Sequence, residues 1–302
     1  MKILAVDIGT GTQDILLYDS QLDLENAFKL VVPSPTMIVN RQLKQATRQG
    51  LPIVLTGVTM GGGPSGWAVE DHLKAGYPVF ATPEAARTFN DDLEAVKALG
   101  ISLISDDEAR RMPATAFHLE LRDFDFEAVQ RSFSEFHVSL DNLTCVAVAV
   151  FDHGAAPPEV SDRQFRFDYL DHCIRAENRL SAFAYRSEDI PPIMTRLQAV
   201  AKSSSNLAVP LMVMDTAPAA ILGATFDPLV ASRRQVMIAN IGNFHSLAFR
   251  LGMDGIEGVF EHHTGELTPA DLDKLLGLLA DGTLQNRDVF DHHGHGALVY
   301  NS

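Results

Sequence analysis

The sequence DIGTGTQ at residues 7–13 separates two short apolar runs close to the start of the chain. The first run starts at residue 3 and ends at Ile8, just before the glycines of this stretch, and the second run starts at Ile15. Both runs are short for helices and flank a glycine-rich turn, so we predict a β-hairpin over residues 7–18, with a third strand at residues 27–32. A chain that opens with a hairpin and then mixes strands with helices is predicted to be an α/β protein with mixed sheets.

The turn of this hairpin offers the groups that bind a magnesium–phosphate complex. Asp7 closes a buried strand and provides a carboxylate for hydrated Mg²⁺. Glycines allow the backbone amides to approach a phosphate, and threonine hydroxyls donate hydrogen bonds to its oxygens. The residues that would contact the phosphates are Gly9, Thr10, Gly11, Thr12 and Gln13. The same residues also suit an ordinary tight turn, and the sequence leaves that alternative open.

A second acidic residue, Asp215, stands between a predicted buried strand and a helix of small residues. In that position it can face a cleft and orient or deprotonate a nucleophile. It can also cap the helix by accepting hydrogen bonds from the first free amides. The two roles are compatible, and the sequence does not choose between them.

A second hairpin turns at Gly242 and carries Asn240, Asn243 and Ser246. These residues can hydrogen-bond a phosphate. The neutral amide of Asn240, however, cannot balance the charge of Mg²⁺ as a carboxylate does. An ordinary hairpin turn is the alternative for this segment.

The stretch at residues 261–267 ends a strand and precedes a helix predicted at residues 269–280. It contains His263, Thr264 and Gly265. Imidazole exchanges protons near neutral pH, so His263 is a candidate general acid or base. A polar turn with solvated histidines is the alternative.

These four segments follow the order seen in the actin/Hsp70/sugar-kinase superfamily. Residues 7–13 resemble its first phosphate-binding hairpin, and the helix after Asp215 resembles the helix between its lobes. The Asp-Thr-Ala sequence at residues 215–217 and the Gly-Asn-x-x-Ser sequence at residues 242–246 are similar to those of acetate kinases. The chain as a whole resembles the DUF1786 branch of the superfamily, notably at residues 152–154, 161–163 and 291–296.

The resemblance implies a two-lobed, ribonuclease H-like (actin/Hsp70/hexokinase) fold with mixed sheets. The first lobe would span residues 1–220, with a large insertion near residues 106–206, and the second would span residues 221–302. The second lobe is expected to be incomplete, because no Gly-Gly adenosine-binding turn follows Asn240.

The resemblance further implies that the chain binds ATP and Mg²⁺, with Asp7 holding the metal and Asp7, Asp215 and His263 as catalytic residues. It also implies that Asn240, Thr264 and Gly265 are among the residues that bind the nucleotide. The leading hypothesis is a phosphotransferase or ATPase that acts on a small carboxylate-type substrate. A nucleotide-responsive activator or regulatory protein with little turnover is the second hypothesis, which Asn240 and the missing adenosine turn favour. The third is a metal-dependent carbamoyl or acyl transferase that uses the late histidines, namely His262, His263, His292, His293 and His295.

Some members of the DUF1786 branch carry the label pyruvate formate-lyase activating enzyme, which is a radical-SAM activity. Such enzymes hold an iron–sulfur cluster on three clustered cysteines, whereas this chain has only Cys145 and Cys173. We therefore predict that the chain does not catalyse radical-SAM chemistry.

The composition argues against several other classes of function. A net charge of −15 argues against a nucleic-acid binder, because neutralising phosphates requires a basic surface. No apolar stretch approaches the ~18 residues that a membrane span needs, and the first residues lack a signal-peptide core. With two cysteines and no disulfide framework, we expect a cytoplasmic protein. The expected partner is a small-molecule substrate, and the sequence leaves a homo-oligomer open.

Overall fold

The computed structural model describes residues 1–300 and has an α/β fold. Its strands, in chain order, are β1 (Lys2–Ile8), β2 (Thr12–Asp19), β3 (Phe28–Pro33), β4 (Ile53–Gly57), β5 (Val79–Ala81), β6 (Ser102–Leu103), β7 (Phe117–Leu121), β8 (Cys145–Val150), β9 (Ala184–Arg186), β10 (Leu211–Asp215), β11 (Val236–Ile241), β12 (His245–Gly252), β13 (Gly255–His263) and β14 (Gly296–Val299). Its α-helices are α1 (Pro35–Gln49), α2 (Gly63–Lys74), α3 (Pro83–Ala86), α4 (Leu93–Ala98), α5 (Asp106–Arg111), α6 (Phe126–Ser134), α7 (Asp162–Ala176), α8 (Thr195–Ser203), α9 (Thr216–Ala224), α10 (Pro228–Ala231), α11 (Pro269–Ala280) and α12 (Asn286–Phe290).

The chain groups into two compact units. The first comprises Met1–Val150 and Arg186–Val213, and the second comprises Phe151–Tyr185 and the chain from Met214 onward. The sequence predicted a single boundary, at residue 220, whereas the chain passes between the units at three places. The difference arises because strand pairing over long sequence separations, which leaves little local signal, brings β8 and β10 into the sheet of β1.

The first unit contains a mixed sheet with the strand order β3-β2-β1-β8-β10-β9. Strand β1 runs antiparallel to β2 and parallel to β8, and β2 runs antiparallel to β3. Alternate residues of β1, namely Leu4, Val6 and Ile8, are buried in a core, so Asp7 lies on the opposite face of the strand. The predicted hairpin is confirmed, and the predicted third strand is confirmed as β3.

A second sheet in the first unit is entirely parallel and has the order β6-β5-β4-β7. It forms from residues 53–121, which lie between β3 and β8 in the chain. Residues 53–55 of its strand β4 form a buried apolar run, because side chains pack against both faces of that strand. Val39 of α1 and Val69 of α2 pack in one core with Ile53 and Leu55 of β4.

The second unit contains a four-stranded antiparallel sheet, β11-β12-β13-β14, between two layers of helices. Successive side chains of β12 alternate between these layers. Leu247 and Phe249 pack in one core with α7 and α9, whereas Ala248 packs in another with α11 and α12. Val259 and Phe260 repeat this alternation on β13. A side chain of β13 that shares a face with Val259 therefore points toward the layer of α7.

Local sequence signals predicted helices α9 and α11 correctly and one other helix incorrectly. Helices α9 and α11 form where they were predicted, and the side chains of Asp215 and Thr268 cap them. Residues 83–99, with a proline in the first turn, are predicted from the sequence to form a single helix. This prediction is wrong, because the stretch divides into α3 and α4. The amide of Asp92 donates to Asn90 Oδ1 at 2.8 Å, and the side chain of Asp92 then caps α4, so these two residues form a turn instead of a helical repeat.

Within residues 1–300, no helix combines the length and the apolar character that crossing a bilayer requires.

Gly57, at the end of β4, gives a first testable prediction. Its φ is +93°, and a Cβ atom there would lie 2.3 Å from the carbonyl oxygen of Leu121 on β7. We expect Gly57→Ala to lower the free energy of unfolding by about 1 kcal/mol from the left-handed φ and by about 1–3 kcal/mol more from the clash. Urea unfolding followed by circular dichroism measures the change.

Gly76 provides the matched control for this experiment. Its φ is +84°, but a Cβ atom there meets no other atom within 4 Å. Gly76→Ala should therefore lower the free energy of unfolding only by the cost of the left-handed φ, about 1 kcal/mol. Equal losses of unfolding free energy in the two variants would contradict the predicted steric clash between a Cβ atom at residue 57 and Leu121.

Candidate functional site

The second unit contains a buried arginine that pairs with two carboxylates. Arg166 of α7, Asp215 at the end of β10 and Glu261 of β13 expose only 2%, 6% and 1% of their surfaces. Arg166 donates to both oxygens of Asp215 at 2.9 and 3.0 Å and to both oxygens of Glu261 at 2.8–3.1 Å. Its Nη1 also donates to the carbonyl oxygen of Asp152 at 2.8 Å. All five N–H groups of the guanidinium are thus hydrogen-bonded.

The helical repeat explains why a charged residue occupies this buried position. Arg166 lies four residues before Leu170 and eight before Ile174, so it shares the apolar face of α7. Glu261 lies two residues after Val259 on β13, so its side chain points toward the same layer. The two charges meet because both elements present their core-facing positions to each other.

Asp215 has no unoccupied oxygen lone pair. Its Oδ1 accepts from Arg166 and from the amide of Ala217 at 2.9 Å, and its Oδ2 accepts from Arg166 and from the amide of Asp152 at 3.0 Å. The capping role foreseen from the sequence is therefore confirmed. Asp215 also fixes the start of the loop that carries His153.

The charges within this group depend on one another. Burial disfavours the charged guanidinium, but the carboxylates of Asp215 and Glu261 outweigh this and raise the pKa of Arg166. Burial would raise the pKa of Glu261, but Arg166 outweighs it and holds that pKa below its ordinary value. Both groups are consequently ionised at neutral pH, with one positive charge facing two negative charges.

Three histidines meet next to this ion-paired group. One potential ligand atom from each of His153, His245 and His295 lies within 4.8 Å of the other two. The Nε2 atoms of His153 and His295 are 3.0 Å apart. Nδ1 of His295 lies 3.4 Å from Oε1 of Glu261. A fourth imidazole, that of His263, has its ring centre 4.6 Å from that of His295 and 5.3 Å from that of His245.

The histidine cluster is a weakly basic site. Burial is the main cause that lowers the pKa of His153, His245 and His295, and for His245 the value falls to about 4. The positive charge of Arg166 lowers all three further. The imidazoles are therefore neutral near pH 7, and neutral imidazole is the form that binds metal ions.

Phe151 connects the arginine to the histidines. The guanidinium carbon of Arg166 lies 3.9 Å from the centre of the Phe151 ring. The imidazole of His245 stacks on the same ring at 4.1 Å, with the two planes 2° apart. The position of His245 is thus set by an aromatic side chain that the arginine itself contacts.

The first predicted phosphate site keeps the geometry of a hairpin turn. The amide of Gly9 donates to the carbonyl oxygen of Thr12 at 2.9 Å. The carbonyl oxygens of Thr10 and Gly11 accept from the hydroxyl and the amide of Ser34 at 2.5 and 3.1 Å. Ser34 is also the N-cap of α1, so the turn is tied to the start of that helix. The side chain of Gln13 donates to the carbonyl oxygen of Pro33 at 3.3 Å.

The structure places three residues of the second predicted phosphate site in contact with one another. The hydroxyl of Thr264 donates to the carbonyl oxygen of Gly242 at 2.8 Å and lies 3.0 Å from the hydroxyl of Ser246. Ser246 is buried, so its hydroxyl contacts Thr264 instead of solvent. No hydrogen bond within residues 1–300 links the side chains of Asn240 and Asn243 to this contact: Asn240 lies on β11, and Asn243 is exposed in the turn. Gly265 follows Thr264 in the short 3-10 helix Thr264–Glu266.

The histidines that cluster differ from those that the sequence singled out. His292 and His293 are exposed, and His262 is buried with its Nδ1 3.1 Å from the carbonyl oxygen of His263. Of the late histidines, His295 belongs to the cluster of three. Its partners His153 and His245 were missed as ligands, because the three lie far apart in the sequence and show no ligand spacing.

Arg166 gives the testable prediction of this site. Replacing it with methionine would leave Asp215 and Glu261 as buried, unpaired carboxylates, so we expect Arg166→Met to lower the free energy of unfolding by about 3–5 kcal/mol. Urea titration followed by circular dichroism measures this change in the free energy of unfolding. Arg175→Met, on the same helix, removes an exposed arginine paired with Asp171 and should change the midpoint little. A loss in Arg166→Met no larger than that of the control would contradict the argument.

The sequence matches the model of one protein family over most of its length. No curated protein matches the chain. The model of the DUF1786 family, described as "Putative pyruvate format-lyase activating enzyme", matches residues 60–302. The matched region contains the arginine group and the histidine cluster, whereas the hairpin turn at residues 7–13 lies outside it. Because the match covers most of the sequence, the chain belongs to the DUF1786 family.

Proposed function

We propose that this protein is an ATP-binding phosphotransferase or ATPase that acts on a small carboxylate-type substrate and uses Mg²⁺. The observation that carries the proposal is the sheet of the first unit. Its strands β3, β2 and β1 are antiparallel neighbours, β8 pairs with β1 in parallel, and β10 follows. This arrangement agrees with the ribonuclease H-like lobe that the resemblance to the actin/Hsp70/sugar-kinase superfamily implies. The turn between β1 and β2 is then the phosphate-binding hairpin.

The hydrogen bonds of the turn suit an anion. Ser34 engages the carbonyl oxygens of Thr10 and Gly11, which would otherwise repel a phosphate. The amides of Thr10 and Gly11 and the hydroxyl of Thr10 would then be the donors offered to a ligand, whereas the amide of Gly9 donates to Thr12 and the hydroxyl of Thr12 to Asp14. An acidic protein can bind an anionic nucleotide in this way, because the donors are local and uncharged.

Asp7 would hold Mg²⁺ with help from a second carboxylate that the sequence alone did not indicate. Asp14 is the register partner of Asp7 across the hairpin. Directly opposed residues of antiparallel strands point to the same face, with their Cβ atoms about 4.5–5.5 Å apart. Two carboxylates on one face of the hairpin form a suitable position for a hydrated divalent cation.

The residues of the second unit would have supporting roles. Asp215 already accepts four hydrogen bonds, so we assign it to positioning and not to proton abstraction. Gly242 and Asn243 remain the proposed contacts of the second phosphate hairpin, whereas the buried hydroxyl of Ser246 is held by Thr264 and would support the turn. His263, which is partly exposed, is the proposed proton donor to the transferring group.

A nucleotide-responsive regulator with little turnover is a second candidate function. Asn240 favours it, because the amide on β11 stands where the superfamily carries an acid and cannot balance the charge of Mg²⁺. Tight nucleotide binding with hydrolysis at the background rate would select this candidate over the phosphotransferase.

This chain lacks the set of thiolates that the activity in the family's description needs. Radical-SAM activation needs three thiolates for its iron–sulfur cluster, and the chain has two cysteines. Cys145 lies on β8 and Cys173 on α7, and burial raises the pKa of both thiols.

The test is isothermal titration of Mg-ATP, Mg-ADP and AMP into the purified protein. We expect micromolar binding of Mg-ATP that needs the metal and falls at least about tenfold in Asp7→Asn, because the variant loses the charge that balances Mg²⁺. AMP, which lacks the β- and γ-phosphates, should bind weakly.

Asp19→Asn is the matched control. Asp19 lies at the other end of the same hairpin, opposite Lys2, so its replacement removes the same charge from the same element. It should leave the affinity for Mg-ATP unchanged. Failure of the folded wild-type protein to bind Mg-ATP would refute the proposed function.

A further inference from the structure

Three separate parts of the second unit place their histidines at one point. His153 lies in the loop after β8, His245 is the first residue of β12, and His295 directly precedes β14. Their potential ligand atoms lie within 4.8 Å of one another. His153 and His245 are partly exposed and His295 is buried, so the cluster lies at the edge of the core and not deep inside it.

The distance between two of the rings is close to that of a metal site. The Nε2 atoms of His153 and His295 face each other at 3.0 Å. In a tetrahedral zinc site, with Zn–N bonds of about 2.0–2.1 Å, two nitrogen ligands are about 3.3 Å apart. A shift of a few tenths of an ångström would therefore admit an ion between them.

Glu261 selects the tautomer of His295 that a metal requires. Nδ1 of His295 is buried 3.4 Å from Oε1 of Glu261 and has no aligned hydrogen-bond partner among residues 1–300. Beside a carboxylate this nitrogen is favoured to carry the proton, which leaves the lone pair of Nε2 directed at His153. A carboxylate behind a ligating histidine is the usual outer partner of such sites.

The surrounding charge also favours a cation. Asp215 and Glu261 together carry two negative charges, and Arg166 supplies one positive charge. The buried group therefore has an excess negative charge next to three neutral imidazoles. A divalent ion would counter this excess, whereas an anion would be repelled.

We propose that His153, His245 and His295 form a transition-metal site that binds one Zn²⁺ ion, with Glu261 orienting His295. Three imidazoles form a nitrogen donor set that suits Zn²⁺. Three protein ligands leave the fourth coordination position to a water molecule or to an oxygen of a substrate. This is the arrangement of catalytic zinc sites, whereas structural sites use four protein ligands.

The site would add chemistry that nucleotide binding does not supply. A zinc ion lowers the pKa of its bound water to about 7, which provides hydroxide at neutral pH. The ring of His263 lies next to those of His245 and His295, where it can accept or deliver that proton. The expected ligands of the open position are water and small oxygen-bearing groups such as carboxylates.

The experiment measures metal binding by the chelator-treated, full-length protein without any nucleotide. Competition with a chromophoric chelator gives the Zn²⁺ affinity, elemental analysis gives the stoichiometry, and visible absorption of the Co²⁺ form reports the geometry. We expect one Zn²⁺ per chain and the intense visible bands of tetrahedral Co²⁺. His153→Ala and His295→Ala should each weaken binding at least about 100-fold, since loss of even an outer partner typically costs 10–100-fold.

Matched variants separate this site from adventitious binding. His172→Ala and the double variant His292→Ala, His293→Ala remove exposed histidines of the same unit and should keep the affinity. His153→Cys should restore binding and add a thiolate-to-cobalt charge-transfer band, which identifies residue 153 as a ligand even if His153→Ala folds poorly.

Two results would overturn the proposal. One is the absence of stoichiometric Zn²⁺ binding by protein whose circular dichroism is native. The other is binding that the cluster variants retain and that the variant lacking His292 and His293 loses. Neither result depends on ATP, so the metal site and the proposed nucleotide site stand or fall separately.

Discussion

The second unit depends on the guanidinium of Arg166. Removing an ion from water in the protein interior costs several kcal/mol, and it is offset only where every donor has an acceptor. Arg166 meets that condition through the two carboxylates and the carbonyl oxygen of Asp152. Because these acceptors come from the end of β10, the loop after β8 and β13, the hydrogen bonds of Arg166 fix three parts of the backbone relative to α7. The apolar layers of the αβα arrangement would tolerate small shifts, whereas a bidentate ion pair does not.

The same interaction organises the histidines. Glu261 contacts Arg166 on one side and His295 on the other, and Phe151 contacts both Arg166 and His245. A change at the arginine therefore reaches two of the three imidazoles through a single intervening side chain. This explains how a cluster at the edge of the core has a defined geometry, although its members belong to a loop and to the ends of strands. Such support is the usual requirement for a precise metal or catalytic site.

Features with local causes could be predicted from the sequence, and those with distant causes could not. The first hairpin, α9 and α11 follow from a glycine turn, an aspartate cap and a threonine cap, all of which act within a few residues. The break between α3 and α4 was missed because a proline start and good helix formers outweighed the turn signal of Asn90 and Asp92 in the pattern. The parallel sheet and the pairing of β8 with β1 depend on long-range contacts. Asp215 was predicted to be an important carboxylate, but its partner Arg166 was not identified, because the two residues lie 49 positions apart in the sequence.

The separation of the cluster's residues along the chain has a consequence for biosynthesis. His153 precedes His295 by 142 residues, and Arg166 precedes Glu261 by 95. At translation rates of about 5–20 residues per second, roughly 7–28 s pass between the synthesis of the two histidines. During the roughly 5–19 s between the synthesis of Arg166 and that of Glu261, the arginine lacks one of its carboxylates and must stay hydrated, so the apolar face of α7 cannot be fully buried. The second unit is thus expected to complete its folding late, when β13 and the segment before β14 have left the ribosome.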